Sequence, residues 1–102
     1  MDMSEIMRQA QQMRQKMSQV QNELAGRTVS ASAGGGMVSV TVNGRNELLS
    51  IRIDREVIKP EEQGMLEDLV LSAVNEGLRK SQEMARKEMG KFTGGINIPG
   101  LF

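Results

Sequence analysis

The fold is decided by the first stretch of the chain, MSEIMRQAQQMRQKMSQVQNEL, residues 3–24. Its apolar residues recur at alternating spacings of four and three, which is typical of a helix with one apolar seam. The seam consists of Ile6, Ala10, Met13, Met17, Val20 and Leu24. Nearly all other residues of this stretch are polar or charged, so the pattern predicts a helix that stops at Gly26 and needs a partner helix to cover its seam.

After this helix the apolar residues alternate with a period of two, which predicts strands. The first strand, 28–33, ends at the glycine triplet 34–36, and the second is VSVTV at 38–42. Asn43-Gly44 predicts a type I′ hairpin turn, because both residues tolerate positive φ. The third strand is expected to place three apolar residues on one face: Leu49, Ile51 and Ile53.

A second long helix is expected to begin at Pro60 and to end near Met89, where Gly90 can cap it. The Gly- and Pro-containing stretch 91–102 is interpreted as a loose tail. The predicted fold class is therefore α+β, an α-β-β-β-α domain over residues 1–90 with a three-stranded antiparallel sheet and two long helices.

Composition narrows the function classes. The 102 residues contain 13 basic and 13 acidic side chains, no Cys and no His. A disulfide framework, a zinc site on nitrogen or sulfur ligands, and histidine acid–base catalysis are thereby excluded. No Ser has a base partner in the sequence pattern, so we expect no catalytic residues, and the missing Cys and His lead us to expect no metal site. Apolar runs are too short to span a membrane, and a soluble cytoplasmic protein is expected.

Helix length favours a homodimer. A helix of about 22 residues is roughly 33 Å long, whereas a seven-residue strand covers only about 23 Å. The helices must overhang the sheet, and a second copy of the chain is the preferred cover for the overhanging seam. A row of small residues on the second helix would also let another backbone approach closely: Ala73, Gly77 and Ser81. The alternative is a contact of this row with the chain's own first helix or sheet.

Basic residues are concentrated late in the second helix. Arg79-Lys80 recurs seven residues later as Arg86-Lys87, which predicts two short basic stripes spaced to meet a phosphate backbone. The alternative is a solvated helix face held by i,i+4 pairs of glutamate and lysine. On the first helix Arg8 lies opposite the seam, and Arg14 and Lys16 flank it.

Four segments in this order resemble the YbaB/EbfC family of bacterial nucleoid-associated proteins. They are MRQAQQM at 7–13, VSVTVNG at 38–44, MLEDLV at 65–70 and IPGLF at 98–102. The resemblance implies a tweezer-like, intertwined homodimer without a cofactor that binds double-stranded DNA with low sequence specificity. It implies altered DNA conformation, roles in nucleoid organisation and gene expression, and a location at the nucleoid. DNA contact by helical arms would point to Arg8, Arg14, Lys16, Arg79, Lys80, Arg86 and Lys87. No membrane or small-molecule partner is implied.

A different class of function is also open. The methionine-rich seam could be an adaptable groove for a protein partner, which would make the chain an interaction adaptor. Zero net charge and the near absence of aromatic residues favour that alternative.

Overall fold

The chain folds into a helix, a three-stranded antiparallel sheet and a second, longer helix. Our computed structural model describes residues 2–92, with Phe92 described by its backbone alone. Its main elements are α1 (Met3–Ala25), β1 (Thr28–Ala33), β2 (Val38–Asn43), β3 (Leu48–Ile53) and α2 (Gln63–Phe92). Two short 3-10 turns, Arg55–Val57 and Pro60–Glu62, lead into α2. The predicted α-β-β-β-α order is confirmed.

Both ends of α1 follow from the local sequence. The Asp2 carboxylate accepts from the Ser4 N–H at 3.2 Å and so satisfies one of the free donors at the helix start. The Gly26 N–H donates to the Glu23 carbonyl oxygen at 3.1 Å, and the chain leaves the helix there. The predicted stop at Gly26 is confirmed.

The sheet has the order β1-β2-β3, and α2 packs across β1 and β2. Val40 at its centre lies opposite Ala31 on one side and Ile51 on the other. The core is formed by small and β-branched side chains of the face that α2 covers: Ala31, Val38, Val40, Val42 and Ala73. The side chains of β3 all remain exposed, because α2 does not reach across that strand.

The row of small residues on α2 faces the sheet of its own chain. Ala73 and Ser81 are fully buried, and a Cβ at Gly77 would lie 2.9 Å from the Cγ2 atoms of both Val40 and Val42. The small residues therefore allow α2 to approach the sheet closely. We correct the assignment of Ala73, Gly77 and Ser81 to a dimer interface, because these positions are not available to a partner.

The two turns of the sheet reach positive φ with different residue types, glycine in the first and asparagine in the second. The triplet Gly34, Gly35 and Gly36 has φ values of 64°, 67° and 97°, which glycine alone adopts readily. The predicted type I′ turn at Asn43-Gly44 is wrong. Asn43 is the last residue of β2, and the positive φ of the second turn, 62°, belongs to Asn46.

Two element boundaries also differ from expectation. Leu48 lies opposite Val42, while Ser50 lies opposite Thr41, so Leu49 is an extra residue and the alternation of β3 breaks there. α2 continues through Gly90 to Phe92, beyond the predicted end near Met89. The predicted tail, 91–102, lies outside the described residues except for its first two positions, which belong to α2.

Candidate nucleic-acid interface

α1 projects from the body of the molecule. All residues from 2 to 16 are exposed, and the helix is covered only toward its C-terminal end, where Leu24 is buried and Met17 and Val20 are half-buried. The principal dimensions are 69 × 22 × 17 Å, and the radius of gyration is 19.1 Å. A compact domain of this size has a radius of about 13 Å. The chain is therefore strongly elongated, as expected from helices that are longer than the strands.

The second half of α2 lies beside the covered part of α1. Met17 and Leu24 line one wall of a cleft of about 530 Å³, and Ala85 and Met89 line the other. Ser81 contacts the end of β2, so residues 82–92 extend past the sheet. We refer to α1 together with residues 82–92 as the arm.

A groove with four basic side chains lies where α2 passes the start of β1. We call it the basic groove and define it by Arg27, Lys80, Lys87 and Lys91. Lys80 and Lys87 lie on the same side of α2, as the seven-residue spacing predicts. Two acidic side chains, Glu83 and Glu88, also line the groove, so its formal charge is positive.

Hydrogen bonds order part of the basic groove. The Lys80 ammonium donates to the Ser30 carbonyl oxygen at 3.1 Å. The Arg27 guanidinium donates to the Glu88 carboxylate, and Lys91 lies 3.4 Å from the same carboxylate. The hydrogen bond from Arg27 lowers the pKa of Glu88 from its ordinary value of 4.5. Lys87 forms no ion pair within residues 2–92 and is therefore able to meet an external anion.

Arg79 is already engaged by its own helix. Its guanidinium lies 2.6 Å from Glu76 and 3.4 Å from Glu83. The hydrogen bond between Arg79 and Glu76 lowers the pKa of Glu76 and raises that of Arg79. The expected pairs of Glu76 with Lys80 and of Glu83 with Lys87 are replaced by these two contacts. A phosphate at Arg79 would have to compete with two carboxylates, so Arg79 is the weakest candidate on α2.

Arg86 lies on another side of α2, in the cleft between the two helices of the arm. Arg45, from the turn after β2, lines the same cleft. Sequence spacing gave no reason to associate Arg45 with Arg86 or Arg27 with Lys87, because folding alone brings these distant segments together. The α1 candidates Arg8, Arg14 and Lys16 are exposed, with Arg8 beside Glu5 and Asp2.

A second uncovered surface is apolar. A groove of about 470 Å³ lies between β3 and α2, lined by Ile53, Leu66, Glu67, Val70, Leu71 and Val74. Leu71 on α2 is 61% exposed. Ile51, which lies on the same face of the sheet as Ile53, is 44% exposed. We call this groove together with Ile51 the β3 surface. Exposed apolar patches of this kind mark interaction sites.

Comparison with known proteins identifies the family of this chain. The model of the YbaB/EbfC DNA-binding family matches residues 1–96. This chain belongs to that family. A nucleoid-associated protein of Syntrophobacter fumaroxidans is 61% identical over 95 residues, which cover 93% of this chain and 86% of that protein. A nucleoid-associated protein of Pelotomaculum thermopropionicum is 52% identical over 101 residues, 99% of this chain and 96% of that protein.

A solved structure shares the fold of this family member. The crystal structure of an uncharacterized protein from Helicobacter pylori matches with a TM-score of 0.81 at 29% identity. The match covers 93% of this chain and 99% of that one.

Within the described part of the chain, residues 2–92, no group of three or more potential ligands is placed to hold a metal ion. None of the described helices is both long and apolar enough to cross a bilayer.

Proposed function

We propose that this chain binds double-stranded DNA with low sequence specificity, as a homodimer located at the nucleoid. Binding would alter DNA conformation and thereby affect nucleoid organisation and gene expression. The observation that carries the proposal is the basic groove, which lies at the base of a projecting arm in a member of a DNA-binding family. The relatives named above are nucleoid-associated proteins, which is consistent with this role.

The basic side chains suit phosphate contact better than base reading. Lys87 and Arg86 lie on a helix and can neutralise phosphates, which supplies affinity without sequence information. The chain contains only two aromatic residues, Phe92 and Phe102, so it offers few rings on which bases could stack. Arg8, Arg14, Lys16 and Lys80 are proposed as further phosphate contacts, with Arg79 contributing least.

The homodimer is proposed from two uncovered apolar surfaces. The seam of α1 is exposed at Ile6 and Met13, by 41% and 53%. The β3 surface is a second patch, adjacent to the open edge of the sheet. A stable interface removes roughly 800 Å² from each partner, and a two-fold arrangement would present the same patch on both copies. We propose that a second copy covers the β3 surface and the distal part of the seam.

The DNA contact is tested by charge reversal at Arg86 and Lys87 together. We expect R86E/K87E to lose affinity for all duplexes about equally, and the salt slope of binding to fall by about 2, one for each lost phosphate contact. Fluorescence anisotropy with two unrelated duplexes measures both quantities.

The matched control is R55E/K59E, which reverses two exposed charges near the start of α2, away from the arm. This variant has the same net charge as R86E/K87E. If both variants lose affinity equally, only total charge matters, and the assignment of contact to the arm is wrong.

A further inference from the structure

The turn after β2 connects the sheet to both helices of the arm. The Gly44 N–H donates to the Leu24 carbonyl oxygen at 2.9 Å and to the Arg27 carbonyl oxygen at 3.0 Å. Leu24 lies in the last turn of α1, and Arg27 is the residue directly before β1. The Gly44 N–H is thus shared between two carbonyl oxygens, one at the end of α1 and one in the segment that follows α1.

Asn43 supplies the second set of contacts. Its side chain is 4% exposed, and its Nδ2 donates to the Ala25 carbonyl oxygen of α1 at 3.3 Å. The same Nδ2 donates to the Glu47 carboxylate at 2.8 Å, while Oδ1 accepts from the N–H groups of Arg45 and Glu47 at 3.0 Å each. The amide therefore holds the turn in shape and holds α1 against it.

The third contact reaches α2. The Ser81 hydroxyl donates to the Asn43 carbonyl oxygen, and Ser81 is fully buried. Asn43 is therefore bonded through its side chain to the end of α1 and through its backbone to the middle of α2. Ser81 is also the last residue of α2 before the part that extends past the sheet.

Steric contact at Gly44 fixes the approach of α1. A Cβ at Gly44 would lie 2.7 Å from the Leu24 carbonyl oxygen and 2.9 Å from the Leu24 Cβ. Gly44 is not among the glycines with positive φ, so an alanine there meets no backbone strain. Its methyl group would instead push directly on the backbone of α1.

We propose that Asn43 and Gly44 are positioning residues that set the direction of α1 relative to α2, and through it the geometry of DNA held by the arm. The part of this inference that concerns DNA rests on the proposed function. α1 is about 34 Å long, so a small rotation at Leu24 is amplified along the helix. A tilt of about 10° would displace Gln11 by about 3 Å, from the 1.5 Å rise per residue.

The test is the substitution Gly44→Ala, with Gly64→Ala as the matched control. A Cβ at Gly64 meets nothing within 4 Å. The chain has no Cys, so spin labels can be attached through Q11C and S32C, both at exposed positions. Dilution of labelled into unlabelled protein restricts the measurement to one chain. We expect G44A to shift the interspin distance by about 3 Å or more and G64A to leave it unchanged.

A second variant covers the case in which G44A does not fold. Ser81→Ala removes the hydroxyl bond, while the Asn43 carbonyl oxygen still accepts from the Asn46 N–H at 3.1 Å. We expect a broader interspin distance distribution in S81A at unchanged secondary structure. Unchanged distributions in every variant that folds, or equal changes in G44A and G64A, would overturn the positioning role.

DNA binding provides a readout that simple destabilisation would not give. G44A retains every charged side chain, so we expect its affinity at low salt to stay within about threefold of the parent. The DNA bend, measured by energy transfer between the ends of a short duplex, should change. An unchanged bend together with a shifted α1 would overturn the DNA part of the inference. If the parent chain binds no DNA, the proposed function fails, and the distance measurement still decides the role of Asn43 and Gly44.

Discussion

At the scale of single residues, Gly77 shows what a spacing pattern does and does not determine. The four-residue spacing of Ala73, Gly77 and Ser81 correctly indicates a close backbone approach. The spacing does not determine which surface approaches α2 there. In this structure the surface is the sheet of the same chain. Asn43 is similar, because its sequence context favours a turn, whereas its buried amide bonds to α1 and to the turn at once.

Gly77→Ala should destabilise the fold. The added methyl would lie 2.9 Å from two valine Cγ2 atoms, and β-branched side chains have little freedom to move away. Overpacking of this kind costs about 1–3 kcal/mol. In the control Gly64→Ala the methyl meets open space, and replacing a helical glycine adds up to about 1 kcal/mol of stability. Urea unfolding measures both, and a G77A variant as stable as G64A would contradict the packing.

The ion pair of Glu88 with Arg27 should make stability depend on acid pH. Folding lowers the pKa of Glu88 from 4.5 because Arg27 donates to its carboxylate. The stabilisation is therefore fully present above pH 4.5 and is lost as the pH falls from there through the lower folded-state pKa.

E88Q should consequently be less stable than the parent at about pH 7, and the difference should shrink as the pH falls below the ordinary pKa. Urea midpoints across this range measure it. The control is E23Q, which removes an exposed carboxylate that forms no ion pair in the described part of the chain. A difference between E88Q and the parent that stays constant with pH would show that the pair contributes nothing through ionisation.

At the scale of elements, periodicity predicted α1 and all three strands, while Pro60 and Gly90 indicated the second helix. The 4-3 seam identified α1, and the period of two identified β1 and β2, because each spacing places the apolar residues on one face of its element. The ends and register of these elements were less predictable from the sequence. Gly90 has open space where a Cβ would be, and the α2 helix runs on past it. The extra residue Leu49 depends on pairing with β2, which no local pattern specifies.

The outer face of α2 provides the test of the proposed dimer. Leu71 is 61% exposed in a single chain, so Leu71→Glu should leave the fold of the monomer intact. If a second copy covers the β3 surface, the same change should raise the dimer dissociation constant at least about tenfold, which corresponds to about 1.4 kcal/mol. Sedimentation equilibrium measures this constant.

Met37→Glu is the control for the dimer test. It introduces the same side chain at an exposed apolar residue of the turn between β1 and β2, outside the β3 surface. The two variants should differ clearly in their dimer dissociation constants. A parent chain that sediments as a monomer at micromolar concentration would contradict the homodimer itself.

At the scale of the whole molecule, function depends on where charges and apolar surfaces lie, since the net charge is zero. The sequence predicted the shared side of Lys80 and Lys87 from their spacing. It could not predict that Arg27 joins them or that Arg45 lines the cleft of Arg86, because these neighbours are distant in sequence and only folding brings them together. Basic groups gather along the arm and its base, which is the distribution that phosphate binding requires.

Whether the arm binds DNA through its phosphates is decided by the salt dependence of the affinity. Two unrelated duplexes are titrated with the parent chain between roughly 50 and 200 mM salt. Both duplexes should bind about equally, and affinity should fall about 1,000-fold or more across this range, as about six or more neutralised phosphates require. No binding at the lowest salt, or an affinity that does not change with salt, would contradict phosphate binding by the arm.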